Sequence, residues 1–339
     1  MAKSLSDEDL RQALRAEKTH NTTASAAASL GLPTTTYQAR LRVAKSRTLT
    51  EDRPELPTFP DDDVDAEEIL DSMSNRFAQR LRHEQARKWF EIKMPNDEPC
   101  ALVVVGDPHI GSNGCNVPLL RRDVEIMANT PNVYAMNIGD TVDNWGGRLI
   151  RAYADNDVSR QTERRLARWF LQDANVPWLV WTLGNHDTMD GEFATYLKTL
   201  NAEKIVMVDW QAEFKLVFPN QREIKINAAH NHKGTSIYNK LHGQKRAALW
   251  GADADIYVAG HHHECAITQE ETDDNRWITL ARARGYKYID DWATMHGFPV
   301  GNVGASIMFV IDPDATSAAG LIIPFADISV GAKYLTSVR

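Results

Sequence analysis

The residues in this chain best suited to chemistry are aspartates and histidines that follow short apolar stretches. The clearest case is Asp107-Pro108-His109, which comes directly after Ala101–Val105 and Gly106. An uninterrupted run of apolar residues, three of them valine, is typical of a strand buried on both faces. A carboxylate and an imidazole one residue apart in the following loop can point at the same spot, and together they suit a divalent transition metal.

The pattern of an apolar stretch, a glycine and a potential metal ligand recurs further along the chain. The recurrences are Gly139-Asp140-Thr141-Val142-Asp143, Gly184-Asn185-His186-Asp187 and Gly260-His261-His262-His263. One more apolar stretch, Ile224–Ala229, ends directly at His230. Because open α/β sheets bind ligands outside the carboxyl ends of their strands, these strand ends can converge on one metal cluster.

In chain order these segments read D-x-H, G-D-x-x-D, G-N-H-D, a lone His and G-H-x-H. This set resembles the motifs of the calcineurin-like metallophosphoesterase superfamily, over roughly residues 99–339. The resemblance implies an α/β (α+β) fold, a two-sheet β-sandwich flanked by helices. It also implies that phosphoester bonds are hydrolysed by a hydroxide that bridges two metal ions.

The resemblance assigns roles to individual residues. One metal ion would be bound by Asp107, His109, Asp140 and His263. The other would be bound by Asp140, Asn185, His230 and His261, so that Asp140 bridges the two ions. His186 would donate a hydrogen bond to a phosphate or leaving-group oxygen, and Asp187 would orient His186 as a catalytic partner.

Two neighbouring histidines compete with these assignments. His232 is an alternative to His230, which is preferred because it follows the strand immediately. His262 lies between two proposed ligands and is expected to be structural, since an extended backbone would point it the other way. Two divalent ions are expected as cofactors. Mn²⁺ is the first choice, with Fe, Zn²⁺ or Mg²⁺ as alternatives, because shared N/O ligation does not choose among them.

Arg282 and Arg284 follow a late strand and are candidates for substrate binding. A guanidinium can contact two phosphate oxygens at once, which suits a phosphoester substrate. The alternative is that both residues belong to a solvated basic edge. Sequence alone leaves the two interpretations open.

The composition is that of a globular protein, with 43% hydrophobic and 25% charged residues among 339. No apolar run approaches membrane-spanning length, and the cysteines Cys100, Cys115 and Cys265 show no metal-type spacing. These features predict a cytoplasmic protein without a membrane partner, and the resemblance to phage-encoded phosphoesterases described below implies that the cytoplasm is bacterial or that of a phage-infected host. Association of the chain with itself stays open.

The first 50 residues differ in charge from the rest. They carry a net charge of +4, whereas the remaining residues carry −12, which gives the whole chain a net charge of −8. Three short helices are predicted there, and the run Ala27-Ala28-Ser29-Leu30-Gly31 before a basic helix resembles the helix-turn-helix of DNA-binding regulators. The basic residues proposed to contact DNA are Arg40, Arg42 and Lys45. The alternative is a trihelical protein-docking module.

These patterns divide the chain into a helix-turn-helix-like domain (1–47), a linker with a charged helix (48–97) and a catalytic domain (98–339). The charged helix is predicted from Ala66 to about Lys93, lying on the catalytic domain, with a short coiled-coil dimer contact as the alternative. Further helices are predicted over Pro118–Ala128, Ser159–Gln172, Glu192–Leu200 and Ser236–Leu249.

The combined prediction is a two-metal phosphodiesterase or nuclease that acts on DNA, similar to phage-encoded phosphoesterases. The N-terminal resemblance to DNA-binding modules is what favours nucleic acid as the substrate. Two alternatives stay open. One is a phosphomonoesterase acting on a small molecule or a protein, and the other is a non-enzymatic, DNA-bound regulator with a metal-binding domain.

Overall fold

This computed structural model describes residues 5–47, 65–146, 156, 158–201, 205–251, 253–289 and 303–339. The chain divides into two compact units, Met1–Ser72 and Met73–Arg339. The predicted linker falls mainly on residues 48–64, which lie outside the described residues. Within the described part of the chain, no helix combines the length and the apolar character needed to cross a membrane.

The N-terminal unit contains three helices, α1 (Asp7–Thr19), α2 (Thr23–Ser29) and α3 (Thr34–Ser46), as the sequence predicts. Ser6 begins α1 with a capping box shared with Asp9. The helices pack on a core of small residues around one aromatic ring, namely Ala13, Ala16, Ala26, Ala27 and Tyr37. The hydroxyl of Tyr37 donates to the carbonyl of Ala13 at 3.1 Å, which ties α3 to α1.

The charged helix α4 (Ala66–Ala86) is shorter than predicted, and none of its residues is buried. The chain turns at Arg87 and continues as strand β1 (Lys88–Lys93). The prediction of a helix to about Lys93 was therefore wrong. Phe90 and Ile92 alternate with exposed neighbours and pack against the core between the sheets, a strand periodicity that the helical interpretation overlooked.

The first sheet has the strand order β12-β11-β2-β3-β4-β5. Its strands are β2 (Cys100–Val105), β3 (Val133–Asn137), β4 (Trp178–Leu183), β5 (Val206–Asp209), β11 (Ser306–Ile311) and β12 (Ile322–Phe325). Strands β2 to β5 run parallel, and β11 is antiparallel to β2. The carboxyl ends of β2, β3 and β4 consequently lie at the same edge.

The second sheet has the strand order β1-β6-β7-β8-β10-β9. Its remaining strands are β6 (Gln211–Val217), β7 (Glu223–Ala229), β8 (Ile256–Ala259), β9 (Ala266–Glu271) and β10 (Trp277–Arg282). Strands β7, β8 and β10 are parallel neighbours. Two mixed sheets with helices around them confirm the predicted α/β sandwich.

The helices of this larger unit are α5 (Val117–Asn129), α6 (Arg160–Arg168), α7 (Asn185–Thr188), α8 (Glu192–Leu200), α9 (His242–Trp250), α10 (Ala318–Leu321) and α11 (Ile328–Val338). A π-helical turn, Trp169–Asp173, extends α6. Helix α9 begins later than the predicted Ser236. The side chains of Ser236 and Asn239 accept hydrogen bonds from nearby backbone N–H groups, which favours turns over helix there.

Alternate residues of β2 show how the core is layered. Leu102 and Val104 face the core between the sheets, whereas Ala101 and Val103 face the core beneath the helices. All residues of β2 are buried, as its uninterrupted apolar sequence predicts. Because the middle of the strand is enclosed on both faces, its polar residues can come only after its end.

Candidate metal centre

The potential ligands stand where strands of both sheets end, and most of them have a left-handed backbone. The φ angles are 33° at Asp107, 43° at His109, 54° at Asp140, 68° at His261 and 50° at His263. Non-glycine residues rarely adopt this conformation, and it tends to concentrate at functional sites. The backbone therefore turns sharply at each strand end and aims consecutive side chains at one place.

Two sets of three ligand atoms lie close enough to hold a cation each. In each set the atoms are within 4.8 Å of one another. The first set comes from Asp107, His109 and His263, and the second comes from Asp140, His230 and His261. Asp140 also groups with His109 and His186, which places it between the two sets.

The contacts of the second set centre on one nitrogen of His230. The Nε2 atom of His230 lies 3.3 Å from Oδ2 of Asp140, 2.8 Å from Oδ1 of Asn185 and 3.0 Å from Nδ1 of His261. Three side chains from the ends of β3, β4 and β8 thus lie within 3.3 Å of a single nitrogen of His230, at the end of β7. His232, the alternative to His230, instead bonds to Asn227 at 2.9 Å.

Hydrogen bonds fix the orientation of two histidines. The Nδ1 atom of His109 lies 2.6 Å from the carboxylate of Asp143, and Nδ1 of His230 lies 2.8 Å from the carbonyl oxygen of Ile138. A proton on each Nδ1 satisfies both contacts and leaves Nε2 with a lone pair directed into the site. Histidines that bind metals are commonly held by such a partner on the other nitrogen.

Two buried atoms at the centre have no hydrogen-bond partner among the described residues. They are Oδ1 of Asp107 and Nε2 of His109. Leaving a buried acceptor unsatisfied costs free energy, so such an atom in a functional site calls for an explanation. A divalent cation would satisfy both atoms, and the mixture of carboxylate, imidazole and amide donors suits one. The residues present therefore fit a bound metal.

Comparison with known proteins agrees with this geometry. The sequence model described as calcineurin-like phosphoesterase matches residues 101–265. Residues 101–265 form a calcineurin-like metallophosphoesterase domain. Members of this family use divalent metals, and the matched range contains every candidate ligand described above. No curated protein matches the chain.

Several solved structures resemble this chain at low identity. Vps29 from Entamoeba histolytica, complexed with Zn²⁺, is 13% identical over 63% of this chain and 87% of its own, with a TM-score of 0.35. Vps29 from Chaetomium thermophilum is 8% identical over 67% and 95%, with a TM-score of 0.34. A phosphatase from Mycoplasma pneumoniae is 13% identical over 67% and 91%, with a TM-score of 0.34.

Burial and neighbouring carboxylates shift the pKa values of several candidate ligands in the metallophosphoesterase domain. Burial lowers the pKa of His261 to about 4 and also lowers that of His263, so both imidazoles are neutral at pH 7. Burial by itself lowers the pKa of His230, yet the carboxylate of Asp140 raises it to about 10. Burial also raises the pKa of Asp107 to about 8. A cation binding here would favour the deprotonated form of both groups.

His186 sits beside the ligands without belonging to either main set. Its backbone N–H donates to Oδ1 of Asp140 at 2.8 Å, and its Nδ1 contacts the main-chain carbonyl of Asp143. The carboxylate of Asp187 accepts from the backbone N–H groups of Asp140, Thr141 and Gly184 at 2.8 to 3.0 Å. The main chain of Asp143, and not Asp187, therefore orients His186. Asp187 joins two ligand loops, and its predicted catalytic role stays a prediction.

Glycine is required next to the ligands because the loops approach one another closely. A Cβ atom at Gly184 would lie 2.3 Å from Oδ1 of Asp140, and one at Gly260 would lie 2.4 Å from Oδ2 of Asp107. Real Cβ atoms do not approach other atoms so closely. The strand–glycine–ligand pattern in the sequence thus has a steric cause, and at Gly139, where φ is 104°, a conformational one as well.

Sequence reasoning missed Trp210, which lies beside the centre and belongs to no motif. Its indole is 50% exposed and its ring centre lies 6.3 Å from that of His230. Its φ angle is 65°, unusual for a bulky residue. Its backbone N–H donates to the carbonyl of Leu183 at 3.1 Å, and its carbonyl accepts from the backbone N–H of His230 at 2.7 Å. The ends of β4 and β7 thus hold an exposed aromatic ring next to the metal ligands.

Trp145 and Lys287 form a second feature beside the candidate ligands. Trp145 meets the His186 ring edge-on at 4.6 Å between ring centres. The ammonium of Lys287 lies 5.2 Å from the centre of the Trp145 ring and 3.3 Å from both carboxylate oxygens of Asp143. This nearly buried cation brings positive charge close to His109 and His186.

Arg282 and Arg284, the predicted substrate contacts, are both buried. Arg282 donates to the carbonyl of Lys240 at 2.8 Å and to that of Gly260 at 3.1 Å, so it holds the loop that carries His261. Arg284 donates to the carbonyl of Val303 at 3.1 Å and stacks on Tyr288 at 3.7 Å. These contacts favour a positioning role for Arg282, and substrate binding by either residue stays a prediction.

In the N-terminal unit, two of the three residues predicted to bind DNA form ion pairs with α1. Arg40 lies 3.6 Å from Asp9, and Lys45 lies 2.6 Å from Glu17. Arg42 is exposed on α3. The ion pairs help to hold α3 on α1, and among the three residues Arg42 is the one whose contacts leave it best placed to meet a ligand.

Proposed function

We propose that this chain is a metal-dependent phosphodiesterase that cleaves nucleic acid. The observation that carries the proposal is the convergence of seven potential ligands, two of which have a buried atom without a hydrogen-bond partner in the described part of the chain. These ligands are Asp107, His109, Asp140, Asn185, His230, His261 and His263. Their division into two sets, with Asp140 of the second set also grouped with His109 of the first, supports a centre with two cations. Mn²⁺ is the metal that we expect to sustain most activity.

The protein's own residues account for most of the proposed mechanism. When bound, the divalent cations would supply an activated water and offset charge on the phosphate. Asp140, placed between the two sets, would help to hold both cations. Asn185 contributes a neutral oxygen, which limits the negative charge that would otherwise repel an anionic substrate.

His186 is the residue that we propose to contact the substrate's reacting phosphate. The carbonyl of Asp143 holds its Nδ1, so its Nε2 is the nitrogen left to face the centre. When the ring is protonated on both nitrogens, its Nε2–H can donate to a phosphate oxygen or to the departing oxygen. Lys287, paired with Asp143, adds positive charge nearby, which also favours a phosphate.

Two observations support nucleic acid over other phosphoesters. The half-exposed indole of Trp210 beside His230 can stack on a base while the adjoining phosphate reaches the cations. In the N-terminal unit, the first turn of α3 exposes Thr35, Thr36 and Gln38, with Arg42 further along. Polar and basic side chains of this kind on a helix are those that contact base edges and phosphates in the major groove.

Metal analysis combined with activity tests the proposal. The purified chain should contain bound divalent metal, lose activity after EDTA treatment and regain it with Mn²⁺. Bis-p-nitrophenyl phosphate, p-nitrophenyl phosphate, single-stranded DNA and double-stranded DNA would be compared side by side. Turnover of the diester and of DNA is the expected result, and turnover of the monoester alone would indicate a phosphatase instead. Failure of Asp140→Asn to lower any activity would contradict the metal mechanism altogether.

A separate experiment tests the DNA-binding role of the N-terminal unit. Arg42→Ala should weaken DNA binding and should make the slope of log K against log salt shallower by about one phosphate contact, ~0.9. Arg15→Ala on α1, where Arg15 pairs with Glu8, is the matched control. Equal effects of both variants, or of neither, would favour the docking-module interpretation of this unit.

A further inference from the structure

Helix α4 presents an apolar stripe that no other described residue covers. Ile69, Leu70, Met73, Phe77 and Leu81 are between 45% and 68% exposed. At 3.6 residues per turn they fall on one face about 120° wide. The opposite face carries Asn75, Gln79 and Arg82, among others. A stripe of this kind on a helix of a globular protein is ordinarily buried against a partner.

Four of the five stripe residues are symmetric in sequence about Asn75, and the exception is Leu70, whose counterpart is Arg80. Ile69 and Leu81 each lie six positions from Asn75, and Met73 and Phe77 each lie two positions from it. If two copies of α4 run antiparallel with a two-fold axis at the level of Asn75, Ile69 of each copy faces Leu81 of the other. Met73 then faces Phe77 in the same way. A two-fold contact of this kind is self-complementary, as a homodimer interface must be.

The charges along α4 favour the same orientation. Its first half is acidic, with Glu67, Glu68 and Asp71, and its second half is basic, with Arg76, Arg80 and Arg82. Antiparallel pairing places the acidic half of each copy beside the basic half of the other. Parallel pairing would place like charges together, which is destabilising.

The size of the stripe suits an interface between copies. Two helices together contribute ten large apolar side chains, among them two phenylalanines. Side chains of this size bring the buried area towards the roughly 1,000 Å² that marks a specific contact. Two charged residues fall within the arc of the stripe. Glu84 would lie opposite the small Ala66 at the end of the contact, where it stays in water. Arg80 would lie opposite Leu70, where its aliphatic stem can pack while the guanidinium reaches solvent.

We infer that α4 is a homodimer interface in which two copies of this chain pair antiparallel through Ile69, Leu70, Met73, Phe77 and Leu81. The proposal is independent of the catalytic activity, since none of these residues belongs to the metal centre. It commits the helix to a second copy of the chain, and packing of the stripe on another part of its own chain is the competing outcome.

Light scattering coupled to size-exclusion chromatography tests the association. The full chain should elute with twice its mass of 38.1 kDa. Phe77→Glu should give the mass of a single chain, whereas Asn75→Glu, which adds the same charge on the far face, should leave the dimer intact. Retained metal content and an unchanged circular dichroism spectrum would show that Phe77→Glu folds. A monomeric wild type, or a dimer that persists in Phe77→Glu, would overturn the proposal.

Disulfide cross-linking tests the orientation. Ile69→Cys and Leu81→Cys chains, mixed and mildly oxidised, should form a covalent dimer. Ile69→Cys alone should not, because the two substituted positions would then be about 18 Å apart along an antiparallel pair, beyond the reach of a disulfide. Cross-linking by Ile69→Cys alone would indicate parallel helices and would refute the antiparallel arrangement. The wild type measures any background from Cys100, Cys115 and Cys265.

Discussion

The carboxylate of Asp143 lies 2.6 Å from Nδ1 of His109, one of the proposed metal ligands. The same carboxylate is paired with Lys287, and burial is outweighed by these two partners, so that the pKa of Asp143 lies well below its usual range. An ionised partner of this kind fixes the imidazole with Nε2 facing the centre and makes that nitrogen a better ligand. Asp143 therefore acts on the metal through His109.

Asp143→Asn should weaken metal binding while preserving the fold. The amide can still accept from His109, but it removes the negative charge that strengthens the ligand and balances Lys287. We expect affinity for Mn²⁺ to fall by about 10–100-fold, measured by titration calorimetry on metal-stripped protein. Asp209→Asn, at the exposed end of β5, is the matched control. Unaltered Mn²⁺ affinity in Asp143→Asn would argue that His109 binds no metal.

The three consecutive histidines after β8 should differ sharply in their importance for metal binding. His261→Ala and His263→Ala remove ligand atoms and should reduce bound metal by more than the ~10–100-fold expected for a residue that only orients a ligand. His262→Ala should retain metal, because His262 belongs to neither ligand set. Metal content by emission spectroscopy is the readout. Equal metal loss in all three variants would point to a damaged loop in place of specific ligation.

Trp210→Ala should impair the use of nucleic acid more than the use of a small diester. Stacking of a base on an aromatic side chain contributes about 1–3 kcal/mol, so KM for single-stranded DNA should rise about tenfold or more. Because the indole is not a ligand, kcat on bis-p-nitrophenyl phosphate and bound metal should change little. Trp250→Ala replaces another exposed tryptophan, on α9, as the control. The same KM in Trp210→Ala and wild type would remove this support for a nucleic-acid substrate.

Glu163 should make stability depend on pH. Burial raises the pKa of Glu163 to about 7, above the ordinary value of 4.5. The folded state therefore binds this proton more tightly than the unfolded chain does, and the resulting stabilisation is complete below pH 4.5 and lost as the pH rises through about 7. Glu163→Gln keeps an acceptor for the N–H of Asn144 and for Asn156 but cannot ionise.

The comparison of melting temperatures isolates this effect. Relative to wild type, Glu163→Gln should gain about 2–4 °C in melting temperature on going from mildly acidic to mildly alkaline buffer, both with EDTA. Using the difference between the two proteins cancels the titration of groups that they share. A difference that stays constant across this range would mean that Glu163 titrates normally.

Local sequence patterns were sufficient for the elements that hold the ligands. The strands before Gly106, Gly184 and Gly260 could be predicted because apolar runs and the glycines that end them are short-range signals. The pairing of Asp143 with Lys287 could not, since 144 residues separate them and only the folded sheets bring them together. The place of Trp210 beside the centre could not be predicted either, because it depends on backbone contacts to two different strands.

The ambiguity at β1 has another physical origin. Residues 88–93 follow a helix without a glycine or proline between them, and their apolar residues are few enough to suit either periodicity. Parallel pairing with β6, which is distant in sequence, decides in favour of a strand.

The ligands come from both sheets, since β2, β3 and β4 belong to one and β7 and β8 to the other. A cation bound by these ligands would therefore cross-link the two sheets, in addition to any chemistry it performs. Removing it with a chelator should loosen this edge first and expose the loops there to proteases, so that resistance to digestion would report metal loading even in a catalytically dead variant.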